Sequence, residues 1–307
     1  MAILCISTGC FCCDAFAHAR TIRSSIAPLS VKDMAANTNV IKFSGAELPE
    51  VLEASVHTFG QRIGGSKNDV WLCPAYSGGR DLMIYVKPRL SVRQIVAELL
   101  SSQLAISAGL PCPQPYLVNL KPQFVGGPRG APEFCFGCEQ VGSSSAVQSV
   151  KNLAIALEML KKAKAAEGVA VLDEWIANPV RHTNDILFNP EGAVWLIDHE
   201  GALAAGLSPG EAVSNWLAMC LKNGLPVADR VKLLSMLRVK SSSAQAPKIG
   251  RPPVELGHIP SGMDLYRAAM EFLRQRVHEL DRLISQRIVP EQGYLEAGIE
   301  SNGAAKL

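Results

Sequence analysis

Apolar and polar positions alternate in short runs through the first part of the chain and recur at helical spacing through the second. Asp69-Val70-Trp71-Leu72-Cys73 and Asp81-Leu82-Met83-Ile84-Tyr85-Val86 read as β-strands flanking a Ser77-Gly78-Gly79 turn. Val40-Ile41-Lys42-Phe43, Pro115-Tyr116-Leu117-Val118 and Glu133-Phe134-Cys135-Phe136 read as further strands. A helix starts at Ser91, whose spacing to Gln94 makes a capping box. Ile95, Leu99 and Leu100 carry it forward, and Gly109 with Pro111 closes it. Past Gly142-Ser143-Ser144-Ser145 the periodicity predicts helices over Asn152–Lys164, Val169–Ala177, Glu211–Lys222, Ala228–Leu237 and Met263–Ile288. The Ser/Ala/Pro-rich stretch Ser241–Gly250 reads as a loop.

One block breaks this regularity. Asn178 to His199 reads NPVRHTNDILFNPEGAVWLIDH. A polar loop enters a short apolar strand at Ile186-Leu187, turns at Asn189-Pro190-Glu191-Gly192, and returns along Val194-Trp195-Leu196-Ile197 to Asp198. A carboxylate before the first strand and another after the second meet at the open end of such a hairpin, where both can reach one Mg²⁺ ion. Asp185 and Asp198 are therefore candidate catalytic and metal-binding residues, with Asn184 a third oxygen donor. Arg181 and His182 are expected to brace the loop from within, with His182 a candidate catalytic residue. An ordinary hairpin with polar ends is the competing reading.

Composition narrows the setting. A chain of 307 residues can build two packed halves. The net charge of +2 gives no reason to expect direct nucleic-acid binding, and no apolar run approaches the roughly 18–20 residues of a membrane span. The nine cysteines are irregularly spaced, so reduced thiols and a cytoplasmic location are expected. A site from Cys10, Cys12, Cys13 and His18 fits no common zinc spacing. Residues 1–35 are expected to be a disordered leader, with Met34 an alternative start, and residues 291–307 a flexible tail.

Two residues far from the block raise its interest. Lys87 ends a strand, where an ammonium can neutralise the α- and β-phosphates of ATP. Glu98 lies amid apolar residues of the next helix, where a carboxylate needs a cation, and Lys87 is the natural one. The segment Phe136–Gly142 then joins the sheet to the helices. Main-chain groups of Glu139 and Val141 are candidate adenine contacts there. Cys135 and Cys138 form a lone C-x-x-C, better read as structural than as a metal pair. Gly60-Gln61-Arg62-Ile63-Gly64-Gly65-Ser66-Lys67 can cover phosphates with main-chain amides but matches no standard phosphate loop, and a plain turn fits equally well. The outline is α+β and bilobal, with an N-lobe over residues 36–141 and a helical C-lobe over residues 142–290.

These residues resemble the HipA-like kinase domain family. The resemblance rests on Tyr85-Val86-Lys87, Glu98, the Leu104–Pro113 run (LAISAGLPCP), Phe136-Gly137-Cys138-Glu139 and the Asp173–His199 block. It implies a protein-kinase-like fold that uses ATP and Mg²⁺. For the best-known members it implies Ser/Thr phosphorylation of a protein target in bacterial toxin–antitoxin systems. Two departures stand out. The family's D-R-H-x-x-N is V-R-H-T-N-D here, so Val180 replaces the catalytic Asp and Asp185 the metal-binding Asn. Valine can neither accept a proton nor orient a hydroxyl, a loss on the order of 10²–10⁴-fold in rate. Asp173 or Asn178 is a conceivable substitute, although Asp173 is expected to face a helix start some distance away. The open functions are a weakened protein kinase, a pseudokinase that regulates a protein partner, and a small-molecule phosphotransferase.

Overall fold

The computed structural model describes residues 48–64, 69–142, 148–149, 152–179, 181–247 and 253–288. These all fall in one unit, Ile41–Leu307. The expected strand at Val40–Phe43, the leader, the tail, Gly65-Ser66-Lys67 and Val180 lie outside the described residues. The chain is mixed α+β, with a sheet-rich first part and a helical second part.

Six strands form the first sheet: β1 (Leu52–Val56), β2 (Gln61–Ile63), β3 (Val70–Ser77), β4 (Arg80–Lys87), β5 (Pro115–Leu120) and β6 (Glu133–Glu139). Their order is β1-β5-β6-β4-β3-β2, and β1 also pairs with β3 at Ser55↔Tyr76 and Val56↔Ala75. That pairing closes five of the strands into a small barrel. β2 continues from the other end of β3, opposite Val70–Leu72. Side-chain alternation fills the barrel with Ala54, Val56, Cys73, Ala75, Ile84, Val86, Tyr116, Val118, Leu120 and Cys135. The opposite face of β5 and β6 sends Leu117 and Phe136 into a second, larger core. A strand buried on both faces explains why β5 reads as a nearly unbroken apolar run.

The larger core is organised on helix α1 (Val92–Ser107), buried continuously from Ile95 to Ala105. Ser91 caps it, with the reciprocal Ser91–Gln94 capping box present. α1 packs against β5, β6 and a helix of the second part, α6 (Gly262–Arg276). The remaining helices are α2 (Leu153–Lys162), α3 (Ala166–Trp175), α4 (Trp216–Lys222), α5 (Val227–Ser242) and α7 (Leu280–Ile288). A second sheet joins β7 (Gln148–Ser149), β8 (Ile186–Phe188) and β9 (Val194–Leu196) in that order.

Three expected helices differ most in extent. Ala228–Leu237 lengthens to α5, which takes in Ser241 and Ser242 of the expected loop. Glu211–Lys222 contracts to α4, because Asn215 caps it by accepting from the Ala218 N–H at 3.0 Å and so fixes its start. The long stretch Met263–Ile288 is interrupted by a 3₁₀ turn at Val277–Glu279. Arg276, at the end of α6, is fully buried there: it donates to the Glu174 carbonyl at 2.7 Å and pairs with the Glu174 carboxylate at 3.2 Å.

Candidate nucleotide and metal site

The site forms where the end of β4 and the open end of the β8–β9 hairpin meet the interior of α1. The hairpin pairs Ile186 with Leu196, and the Ile197 N–H donates to the Asp185 carbonyl at 2.9 Å. That extension of the ladder sets Asp185 and Asp198 side by side at its open end. Asp198 adopts a left-handed conformation (φ 61°) that turns the chain out of the strand. β4 ends at Lys87, paired with Phe136 of β6.

Lys87 Nζ joins the elements. It lies 2.5 Å from Glu98 Oε1, 2.8 Å from Asp198 Oδ1 and 3.6 Å from Glu200 Oε2. Glu98 is completely buried, and its second oxygen accepts the His199 N–H at 2.9 Å. Burial works against the Lys87 charge, but the carboxylates of Glu98 and Asp198 outweigh it and hold the ammonium above its ordinary range. Burial likewise pushes the Glu98 carboxyl up, with Lys87 opposing. The sequence therefore predicted the Lys87–Glu98 pair correctly, but gave no sign of Glu200, one residue past the block.

Behind this pair the loop is braced from within by a buried network. Arg181 clasps both Asp173 oxygens at 2.7–3.0 Å, donates to the Ile197 carbonyl at 3.2 Å and reaches His199 Nδ1 at 3.0 Å. A guanidinium can only donate, so Nδ1 accepts. Burial and the Arg181 and Lys87 charges hold His199 neutral, well below its ordinary range. His182, expected to share the bracing role, is exposed; its N–H donates to Asp185 Oδ2 at 2.7 Å. Asp173 sits in the last turn of α3 rather than near a helix start. It is 1% exposed and held by Arg181 and by Asn178 Nδ2 at 3.3 Å, so neither Asp173 nor Asn178 stands available as a base.

The other candidates fall into place around this centre. Asn184 is exposed, with its amide oxygen 3.4 Å from Ser149 Oγ. The Glu139 carboxylate is held by Arg80 at 2.9 and 3.2 Å and by the Tyr116 hydroxyl at 3.0 Å. That leaves only main-chain chemistry for a nucleotide at Glu139, and Val141 follows just beyond the strand. Cys138 shares a strand face with Phe136, and burial pushes its thiol up to about 12; Cys135 points into the barrel core, as a structural cysteine should. Gly60 is required by packing, since a Cβ there would collide with Cys73 Sγ.

The donor set suits a hard divalent cation. Burial pushes Asp185 up to about 6; the His182 N–H opposes this and the neighbouring Asp198 charge adds to it. Burial is the main cause of this shift, whereas Asp198 already has Lys87 at 2.8 Å. Asp198 lies with Glu98 and Glu200 in a group whose carboxylate oxygens fall within 4.8 Å of one another, and Asp185 is near enough to feel the Asp198 charge. Such oxygen ligands suit Mg²⁺, and Lys87 offers the cation that nucleotide phosphates require.

Comparison with known families gives a match over residues 56–224 to HipA-like kinases. The chain belongs to the HipA-like kinase family. The matched region takes in Lys87, Glu98, the whole Asn178–His199 block and Glu200. Among solved structures it is similar to the crystal structure of a Helicobacter pylori proinflammatory kinase, CtkA. The two are 11% identical, with a TM-score of 0.43 over 76% of this chain and 96% of that one. A comparison with curated proteins found no match. No described helix of this HipA-like kinase is long and apolar enough to cross a membrane.

Proposed function

We propose that this HipA-like kinase binds Mg·ATP between β4, α1 and the β8–β9 hairpin, and transfers phosphate slowly to a Ser/Thr hydroxyl of a protein target. The observation that carries this reading is Lys87, held between Glu98 of α1 and Asp198 of the hairpin at 2.5 and 2.8 Å. One cation so placed ties the sheet to a helix and to the metal-binding loop, an arrangement that an ordinary hairpin does not need. In this reading residues 36–141 act as the N-lobe and residues 142–290 as the C-lobe. Lys87 neutralises the α- and β-phosphates, Glu98 holds Lys87 in place, and Asp185 with Asp198 ligates the metal. When bound, the metal neutralises charge on the phosphate oxygens. Arg181, anchored on Asp173, keeps the loop in register with Ile197 and His199.

The weak step is proton removal from the acceptor. Residue 180 is valine, and the two nearby polar candidates are committed to Arg181 and to each other. That commitment favours a second reading, a pseudokinase that binds nucleotide and regulates a protein partner. Thermal-shift titration with ATP, with and without Mg²⁺, followed by autophosphorylation with labelled ATP, separates the two. Slow transfer that rises on the order of 10²–10⁴-fold in Val180→Asp supports the kinase. Mg-dependent binding with no transfer until position 180 is changed supports the pseudokinase. Absence of nucleotide binding overturns both.

A further inference from the structure

Arg93 occupies the second position of α1, where a cation is disfavoured by the positive end of the helix dipole. Its guanidinium reaches across to the second part of the chain. Nη1 donates to the Ala202 carbonyl at 3.0 Å and to the Leu203 carbonyl at 3.2 Å. Five residues on, Glu98 accepts the His199 N–H. One helix therefore grips the segment after Asp198 at both its ends.

That segment needs holding. Asp198 and Leu203, which bracket it, are both left-handed, with φ of 61° and 54°, and neither is glycine. Such conformations persist only where the surroundings impose them. Within the segment the Ala202 N–H bonds the His199 carbonyl, and the Leu203 N–H bonds the Ile176 carbonyl. The grip from α1 completes the set.

We infer that Arg93 is a positioning residue: with Glu98 it fixes the His199–Leu203 segment, and so sets the direction in which Asp198 presents its carboxylate to a metal ion. It touches neither nucleotide nor metal. The metal part of this inference rests on the Mg·ATP reading above; the structural part stands without it.

The test uses the full chain with Arg93→Met, which keeps the stem and removes the donor, and Arg93→Lys, which restores a cation. Amide hydrogen exchange without ligand is read at His199, Ala202 and Leu203, with Tyr266 to Met270 of α6 as the control. Nucleotide binding is read as the Mg²⁺ concentration for half-maximal ATP binding, alongside binding of ATP in EDTA. In Arg93→Met, exchange across 199–203 rises about tenfold while α6 is unchanged. The Mg²⁺ requirement rises about tenfold, as expected when support behind a metal ligand is lost, and metal-free ATP binding stays within about twofold. Arg93→Lys recovers part of both effects. Unchanged exchange at 199–203 in a folded Arg93→Met protein overturns the positioning role. An equal loss of binding with and without Mg²⁺ overturns its link to Asp198. If the wild-type protein binds no nucleotide, the Mg·ATP reading fails and with it that link, and the exchange result still decides whether Arg93 holds the segment.

Discussion

Replacing Asp185 by asparagine should make the metal-free protein more stable, and the size of the gain should depend on pH. Asp185 is 7% exposed, and its carboxyl is pushed from 3.8 up to about 6 by burial, with Asp198 adding to the effect. A folded-state pKa above the unfolded value means that the folded state binds the proton more tightly. Stability is then highest below 3.8 and falls as pH rises to about 6. The shift of about two units corresponds to a penalty of ~3 kcal/mol above pH 6, at ~1.4 kcal/mol per unit. Asparagine escapes that penalty but weakens the bond from the His182 N–H, which costs about 1 kcal/mol when a charged acceptor becomes neutral. The expected net gain is about 2 kcal/mol at pH 8, shrinking below about 1 kcal/mol at pH 5, where roughly half the penalty applies. Urea unfolding in EDTA at the two pH values measures it. A destabilised Asp185→Asn protein at pH 8, or a gain that does not change with pH, would refute the claim that burial, with Asp198 adding to it, holds the Asp185 carboxyl up in the metal-free protein.

Two further variants test the supports of the site. Arg181→Met strands a buried Asp173 and should cost ~3–5 kcal/mol, whereas adding Asp173→Asn should recover much of that loss in urea unfolding. Gly137→Ala puts a Cβ 2.6 Å from Val118 Cγ2 and 3.2 Å from the Tyr85 carbonyl. It should cost ~1–3 kcal/mol in thermal unfolding, because Gly137 of β6 packs directly against Val118 of the barrel core.

What the sequence disclosed and what it withheld divide along physical lines. The hairpin at Ile186–Leu196 was legible because turn residues and β-branched runs are local signals. The Lys87–Glu98 pair was legible because a carboxylate inside an apolar helix demands a partner. The strand β1 was not, since its parallel partners Tyr116–Asn119 lie far along the chain and no local pattern encodes such a pairing. Closure of the barrel was hidden for the same reason. Asp173 read as a possible spare base because its type and position along the chain suit one; only the fold reveals that Arg181 consumes it. Glu200 and Arg93 look like surface polar residues, and their roles arise from contacts more than a hundred residues apart. Arg93 carried one faint signal, a positive charge at a helix start.

The central claim is that Lys87 and Asp198 belong to one nucleotide–metal site, and a single calorimetric comparison tests it most directly. ATP is titrated into wild type, Lys87→Met and Asp198→Asn, each with Mg²⁺ and with EDTA. The account predicts that Mg²⁺ tightens ATP binding to wild type, that Asp198→Asn abolishes this Mg²⁺ effect while retaining weak metal-free binding, and that Lys87→Met weakens binding under both conditions. ATP binding to wild type that is indifferent to Mg²⁺, or unaffected by both substitutions, would contradict it.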